Sequence, residues 1–239
     1  MIEALRGRRR PVRILIAEGV RDDERILALR EIAAEQALPI DRPPKAMLDD
    51  LTRGANHQGV ALEASAYPYA ALDEIEAASG TVLVLDHLQD PQNVGTLLRA
   101  AEAAGVAGVV MPNNRAVEVT PAVVNASAGA VEHLLMARVP NLARAAASLK
   151  ERGWWIVGLH SGPDVPSLYE TDIPTPVALI VGAEGAGISQ LLRQHSDLLV
   201  SLPMQGRVAS LNAATAGAIA LFDLVRRQMQ TASPSSTAP

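Results

Sequence analysis

A chain of 239 residues and 25.2 kDa, 49% hydrophobic and 20% charged, is long enough for one large domain or two small ones, each with its own core. It has no run of about 18 apolar residues and no cysteine, which excludes a membrane-spanning helix, disulfides, a thiolate zinc site and a cysteine nucleophile and leaves a soluble globular protein, for which no metal is expected. The net charge of −5, from 21 basic and 26 acidic residues, argues against nucleic-acid binding through overall basicity, and three Tyr, two Trp and one Phe offer little for a base-stacking platform.

The N-terminal stretch concentrates Arg6, Arg8, Arg9, Arg10 and Arg13, readable as a solvated terminus or as a phosphate-contacting patch. It lacks the apolar core of a signal peptide, so a cytoplasmic location is expected. Val12 to Ala17 reads as a strand. A helix follows from Asp22 to Ala37 with Ile26, Leu29, Ile32 and Ala33 on one face and Asp22 or Asp23 as its cap. Pro39, Pro43 and Pro44 mark a turn, a short helix is expected over Lys45 to Leu51, and Gly59 to Ala64 reads as a strand. Residues 1–66 thus form a small α/β unit, and 67–80, which contain a Pro and end in small residues, read as a linker with a short helix.

Residues 81–230 alternate apolar strands with helices. Strands are expected at Thr81 to Asp86, near Val109, at His133 to Val139, Trp154 to Leu159, Val177 to Gly182 and Leu198 to Pro203. Helices are expected at Val94 to Ala104, near Pro121, at Asn141 to Arg152, from Ser189, and over a long C-terminal stretch. The pattern predicts an α/β fold with a parallel sheet covered on both faces. No internal repeat is present, and the polar, Pro-containing residues 231–239 read as a disordered tail.

Ligands of open parallel sheets bind beyond the carboxyl ends of the strands, and three polar or Gly-rich segments follow strands here. The first, DHLQDPQNVGTLLRAAEAAG, places Asn93, Gly95 and Arg99 at a helix start. Asn93 reads as a cap, and if helical it lies about 120° around the axis from Arg99, which reads equally as a solvated residue. The second, VALIVGAEGAGIS, runs a buried strand into Gly182, Glu184, Gly185 and Gly187. Glycines permit close backbone approach, the dinucleotide fingerprint is not matched, and a carboxylate in such a turn must be solvated, paired or functional. The third, SLPMQGRVASLNAATAGAIALFD, turns at Gly206 and enters a helix of small residues with Ser210 as a candidate cap.

In this order the three segments resemble the signature motifs of the SpoU/TrmH family of RNA ribose 2′-O-methyltransferases. N-x-G-x-x-x-R falls on Asn93, Gly95 and Arg99, G-x-E-G-x-G on Gly182, Glu184, Gly185 and Gly187, and P-M-x-G…S-L-N on Pro203, Met204, Gly206, Ser210, Leu211 and Asn212. GANHQGVALEA resembles the end of the L30e-like RNA-binding domain of the 23S ribosomal RNA guanosine branch, and Ser127 to Ala145 and Gly153 to Leu159 are also similar to that branch. The resemblance implies a parallel-sheet catalytic domain with a C-terminal trefoil knot behind an L30e-like domain, a homodimer through the catalytic domains, and S-adenosylmethionine as cofactor. Because the tyrosine-glycine segment usual before Glu3-Ala4-Leu5 is absent, the L30e-like domain is expected to be N-terminally short. It implies that Arg99, Asn93, Glu184, Ser210 and Asn212 serve catalysis, that His160, Gly182, Gly185, Leu202, Met204, Gly206 and Leu211 hold the cofactor, and that Arg8, Arg9, Arg10, His57 and Gln58 meet RNA.

A guanidinium is a donor rather than a base, so Arg99 is expected to grip phosphate and orient the 2′-hydroxyl, with the proton passing to phosphate, water or Glu184. Asn93, Ser210 and Asn212 are expected to fix Arg99, the ribose and the knot loops. The expected substrate is a guanosine of 23S ribosomal RNA. The alternatives are a transfer RNA 2′-O-methyltransferase and a non-catalytic RNA-binding ribosome assembly factor.

Overall fold

The computed structural model describes residues 1–162, 164–185, 187–208 and 210–232. The chain divides into two compact units, Met1–Pro68 and Tyr69–Pro239.

The first unit runs α1 (Ile2–Arg6), β1 (Pro11–Ile16), α2 (Glu24–Glu35), β2 (Ile40–Asp41), α3 (Lys45–Leu51) and β3 (Val60–Ala64). β1 is the central strand, parallel to β2 and antiparallel to β3. Because side chains alternate across a strand, Ile14 and Ile16 pack with Leu5, Ile26, Leu29, Ile32 and Ala33, while Leu15 and Ala17 pack with Leu48 on the other face. Asp23 is the cap of α2, its Oδ1 accepting from the Ile26 amide at 2.9 Å. The short α1 and the two-residue β2 have too little pattern to be seen in the sequence.

The second unit runs α4 (Leu72–Glu76), β4 (Thr81–Asp86), α5 (Pro91–Ala103), β5 (Gly108–Pro112), α6 (Pro121–Ala126), a 3-10 turn (Ala130–His133), β6 (Met136–Val139), α7 (Leu142–Glu151), β7 (Trp155–Leu159), β8 (Val177–Gly182), α8 (Gln190–His195), β9 (Leu198–Val200) and α9 (Ala213–Ala232). The six strands are all parallel in the order β6-β5-β4-β8-β7-β9. One face of the sheet, with Val82, Val84, Val110, Ile156, Ala178 and Ile180, packs on α7 and α8 through Leu142, Leu149 and Leu192. On the other, α9 lies against α5, with Gly217 so close to Leu97 and Val181 that a methyl group there would meet them at 2.8 and 3.1 Å.

The structure corrects several expectations. Residues 69–80 are packed rather than free: Ile75 is fully buried beneath the sheet and Trp154 donates to the Glu76 carbonyl at 3.3 Å. His133 ends the 3-10 turn and precedes the strand, which starts at Met136. α5 starts earlier than its apolar pattern, because Asp90 is the cap and Pro91 fills the first turn, so Asn93 is inside the helix. Ser210 is not the cap of α9: Asn212 Oδ1 accepts from the amides of Ala214 (2.8 Å) and Thr215 (3.3 Å). α9 extends to Ala232, two residues into the expected disordered tail, and 233–239 lie outside the described residues.

A Cβ at Gly95 would stand 2.3 Å from Ala126 Cβ and 2.8 Å from the Ser127 amide nitrogen. Gly95→Ala is therefore expected to destabilise the protein by about 1–2 kcal/mol despite the better helix propensity of Ala. An unchanged denaturation midpoint would contradict this packing.

Candidate functional site

Strand order reverses between β4 and β8, and the register sets Asp86 beside Gly182 where the two strands end. This is the topological switch point, where ligands of parallel sheets bind. Two clefts open there. One, of about 220 Å³, lies beyond β7, β8 and β9 and is lined by His160, Gly182, Glu184, Gly185, Leu202, Met204, Ser210 and Leu211. The other, of about 350 Å³, lies beyond β4 and is lined by His87, Gln89, Asp90 and Asn93. Ala183, Glu184 and Ala213 line both.

The wall between them is a hydrogen-bonded junction of the three sequence segments. Glu184 Oε1 accepts from Asn93 Nδ2 at 3.1 Å and from Asn212 Nδ2, and Asn212 Nδ2 also lies 2.7 Å from Asn93 Oδ1. These contacts join positions 91, 28 and 119 residues apart. Asn212 uses its other side-chain atom to cap α9, so one residue both starts the helix and holds the carboxylate.

The Glu184 loop is shaped by its glycines. Gly187 donates to the Ala183 carbonyl at 2.8 Å, and Gly185 and Gly187 take the left-handed φ values +73° and +64°. A Cβ at Gly182 would lie 2.2 Å from the carbonyl carbon and oxygen of Gly187. The loop can fold back only over a bare backbone.

The first cleft suits S-adenosylmethionine. Leu202, Met204 and Leu211 give an apolar wall for a flat ring, the strand ends offer backbone polar groups, and Glu184 is the one carboxylate lining it among the described residues, placed to attract a sulfonium cation. Gly206, expected here, does not line it. His160 does, with its Nε2 3.5 Å from an Arg193 guanidinium nitrogen.

Arg99 is not brought to this junction. It is exposed on α5, lines neither cleft and has no hydrogen-bond partner among the described residues, so Asn93 fixes Glu184 rather than Arg99. Ser210 lines the first cleft without joining the network. The sequence reading missed Asp86 and His87. Asp86 is 2% exposed, with its Oδ2 accepting from the Ser189 amide at 2.6 Å and its Oδ1 2.5 Å from His87 Nδ1. A carboxylate closing an otherwise apolar buried strand was the available signal.

In the first unit, Arg6, Arg8 and Arg10 are exposed and Arg9 is half-buried. Arg13 is bound to Glu63 at 2.6 Å and Asp41 at 2.7 Å, contacts that raise its pKa and remove it from the patch. His57 is held within its own loop. Its Nδ1 accepts from the Gly59 amide at 2.9 Å, so Nε2 carries the hydrogen given to Asp49 at 2.7 Å. Gln58 is exposed at φ +50° beside it.

Comparison with known proteins agrees with this arrangement. The profile of the SpoU rRNA Methylase family matches residues 80–222, and that of the RNA 2′-O ribose methyltransferase substrate-binding domain matches residues 1–70. A Bacillus subtilis protein named for the TrmH family of tRNA/rRNA methyltransferases is 37% identical over 95% of this chain and 93% of its own length. An uncharacterized tRNA/rRNA methyltransferase of Synechocystis is 36% identical over 95% of this chain, which spans 61% of that relative. The AdoMet-bound rRNA methyltransferase of Sinorhizobium meliloti superposes with a TM-score of 0.78 at 26% identity, over 95% of this chain and 84% of that one. The chain belongs to the SpoU/TrmH family of S-adenosylmethionine-dependent RNA 2′-O-methyltransferases. Among the described residues no helix is long and apolar enough to cross a membrane.

Gly182→Ala must push Gly187 aside and so deform the cofactor cleft. The expected result is at least a tenfold loss of S-adenosylmethionine affinity in calorimetry from a folded protein; wild-type affinity would refute the assignment of the cleft.

Proposed function

We propose that the protein transfers the methyl group of S-adenosylmethionine to a ribose 2′-hydroxyl of a guanosine in 23S ribosomal RNA. The observation that carries this reading is the junction of Asn93, Glu184 and Asn212 between two clefts, one suited to the cofactor and one open to a nucleoside. Bound in the first cleft, the cofactor supplies an electrophilic methyl group. The residues of this chain supply alignment: Glu184, held by two amides, borders both clefts and fixes the donor side relative to the acceptor side. The Sinorhizobium relative is named an rRNA methyltransferase and the Bacillus relative a tRNA/rRNA methyltransferase, which supports an RNA substrate.

Arg99 is assigned to gripping a substrate phosphate. Its distance from both clefts of its own chain supports a homodimer in which Arg99 completes the site of a second copy. The close packing at Gly182 and Gly217 supports a knotted C-terminal segment. The domain reading is a substrate-binding unit ending near residue 66 and a catalytic domain from residue 81, with the helix between them packed on the latter. The working location is the cytoplasm.

The test is transfer of labelled methyl from S-adenosylmethionine into unmethylated 23S ribosomal RNA and bulk transfer RNA by wild type and Arg99→Ala. The expected product is an alkali-resistant 2′-O-methyl dinucleotide from 23S RNA, lost in the variant. Label in transfer RNA alone would replace the substrate, and RNA binding without label in either would favour an assembly factor.

RNA affinity is expected to depend on the exposed arginines of the first unit. Arg8→Glu with Arg10→Glu should weaken 23S RNA binding about tenfold or more and flatten its salt dependence, with cofactor affinity unchanged. Unaltered RNA affinity would show that this patch is only a solvated terminus.

A further inference from the structure

The reaction must also give the 2′-hydroxyl proton an acceptor, and an imidazole is a stronger base than a phosphodiester or water. Arg99 cannot accept the proton, because a guanidinium has no free lone pair. Glu184 takes both amide hydrogens, from Asn93 and Asn212, on Oε1, and a carboxylate is a weaker base than an imidazole. The second cleft is lined by the imidazole of His87 together with the carboxylates of Asp90 and Glu184, and the imidazole is the stronger base.

We propose that His87 is the catalytic proton acceptor for the ribose 2′-hydroxyl, oriented for that role by the buried carboxylate of Asp86. Asp86 is an acceptor only, so the ring nitrogen facing it, Nδ1 at 2.5 Å, carries the hydrogen. In the neutral ring Nε2 then bears the lone pair. It has no partner among the described residues, and the side chain is 42% exposed while that of Asp86 is 2% exposed. Asp86 is itself fixed by the Ser189 amide at 2.6 Å and by the register that sets it beside Gly182. His87 takes the left-handed φ of +59°, which is costly for a residue with a Cβ and is maintained by this surrounding structure.

The step balances. The 2′-oxygen forms a bond to the methyl carbon, the carbon–sulfur bond breaks with its electron pair remaining on sulfur, and the hydroxyl proton moves to His87 Nε2. The resulting imidazolium is stabilised by Asp86 and gives its proton to solvent. The titratable groups facing His87 are Asp86, Asp90 and Glu184; Asp90 is engaged by the amides of Gln92 and Asn93.

This inference rests on the methyltransferase reading, and its test separates the two. His87→Asn suits the backbone, since Asn tolerates a left-handed φ, while removing the base. It is expected to lower kcat about 100-fold or more on 23S RNA and to leave S-adenosylmethionine affinity unchanged in calorimetry. Asp86→Asn should lower kcat similarly by releasing the tautomer. A readout independent of turnover is the imidazole nitrogen NMR spectrum of the full chain, expected to show His87 protonated at Nδ1 and bare at Nε2 in wild type, with that preference lost in Asp86→Asn. An active wild type with an equally active His87→Asn, or a ring protonated at Nε2, would overturn the role of His87. A wild type that methylates no RNA would overturn the methyltransferase reading instead.

Discussion

The carboxylate of Glu184 is the one group on which the candidate site depends. Its partners come from α5 and from the start of α9, and neither segment has another polar link to the loop after β8 among the described residues. Each amide–carboxylate hydrogen bond at so exposed a position is worth about 1 kcal/mol, so the junction adds little to the stability of the fold. Its effect is positional. It fixes the wall between the two clefts, and alignment of two reactants is a large contribution to any group transfer.

The sheet prepares that junction. Six parallel strands with both faces covered end their apolar runs on one edge, and the reversal of strand order between β4 and β8 separates the loops there enough to admit a ligand. Bare glycine backbone makes the same edge compact. Gly182 lets the Glu184 loop fold back, Gly217 brings α9 onto α5 and β8, and Gly95 brings α5 onto α6. Small residues in the three motifs therefore act through packing as much as through ligand approach.

Much of this was legible in the sequence. α3 and β8 have the bounds that prolines, glycines and apolar runs indicate, and Ile26, Leu29, Ile32 and Ala33 form the buried face of α2 as their spacing implies. The three segments also identify themselves by order and spacing. The partners of each residue were not legible, because local pattern carries no record of contacts made across 91 or 119 residues. Asn93 looked like a cap because the true cap, Asp90, precedes a proline and lies before the apolar periodicity begins. His57 looked like a contact for RNA because its bonds to Asp49 and Gly59 arise only when the loop folds. Asp86 and His87 stood in plain view but belonged to no motif, and only the register beside Gly182 gives them a place.

Asn93 and Asn212 meet on Glu184 at the edge of the first cleft and are expected to act on it as one unit. The direct measurement is a double-mutant cycle of Asn93→Ala and Glu184→Ala on S-adenosylmethionine affinity by calorimetry. A coupling of about 1 kcal/mol or more between the two substitutions is predicted. Additive losses, or no loss from Asn93→Ala alone, would contradict it.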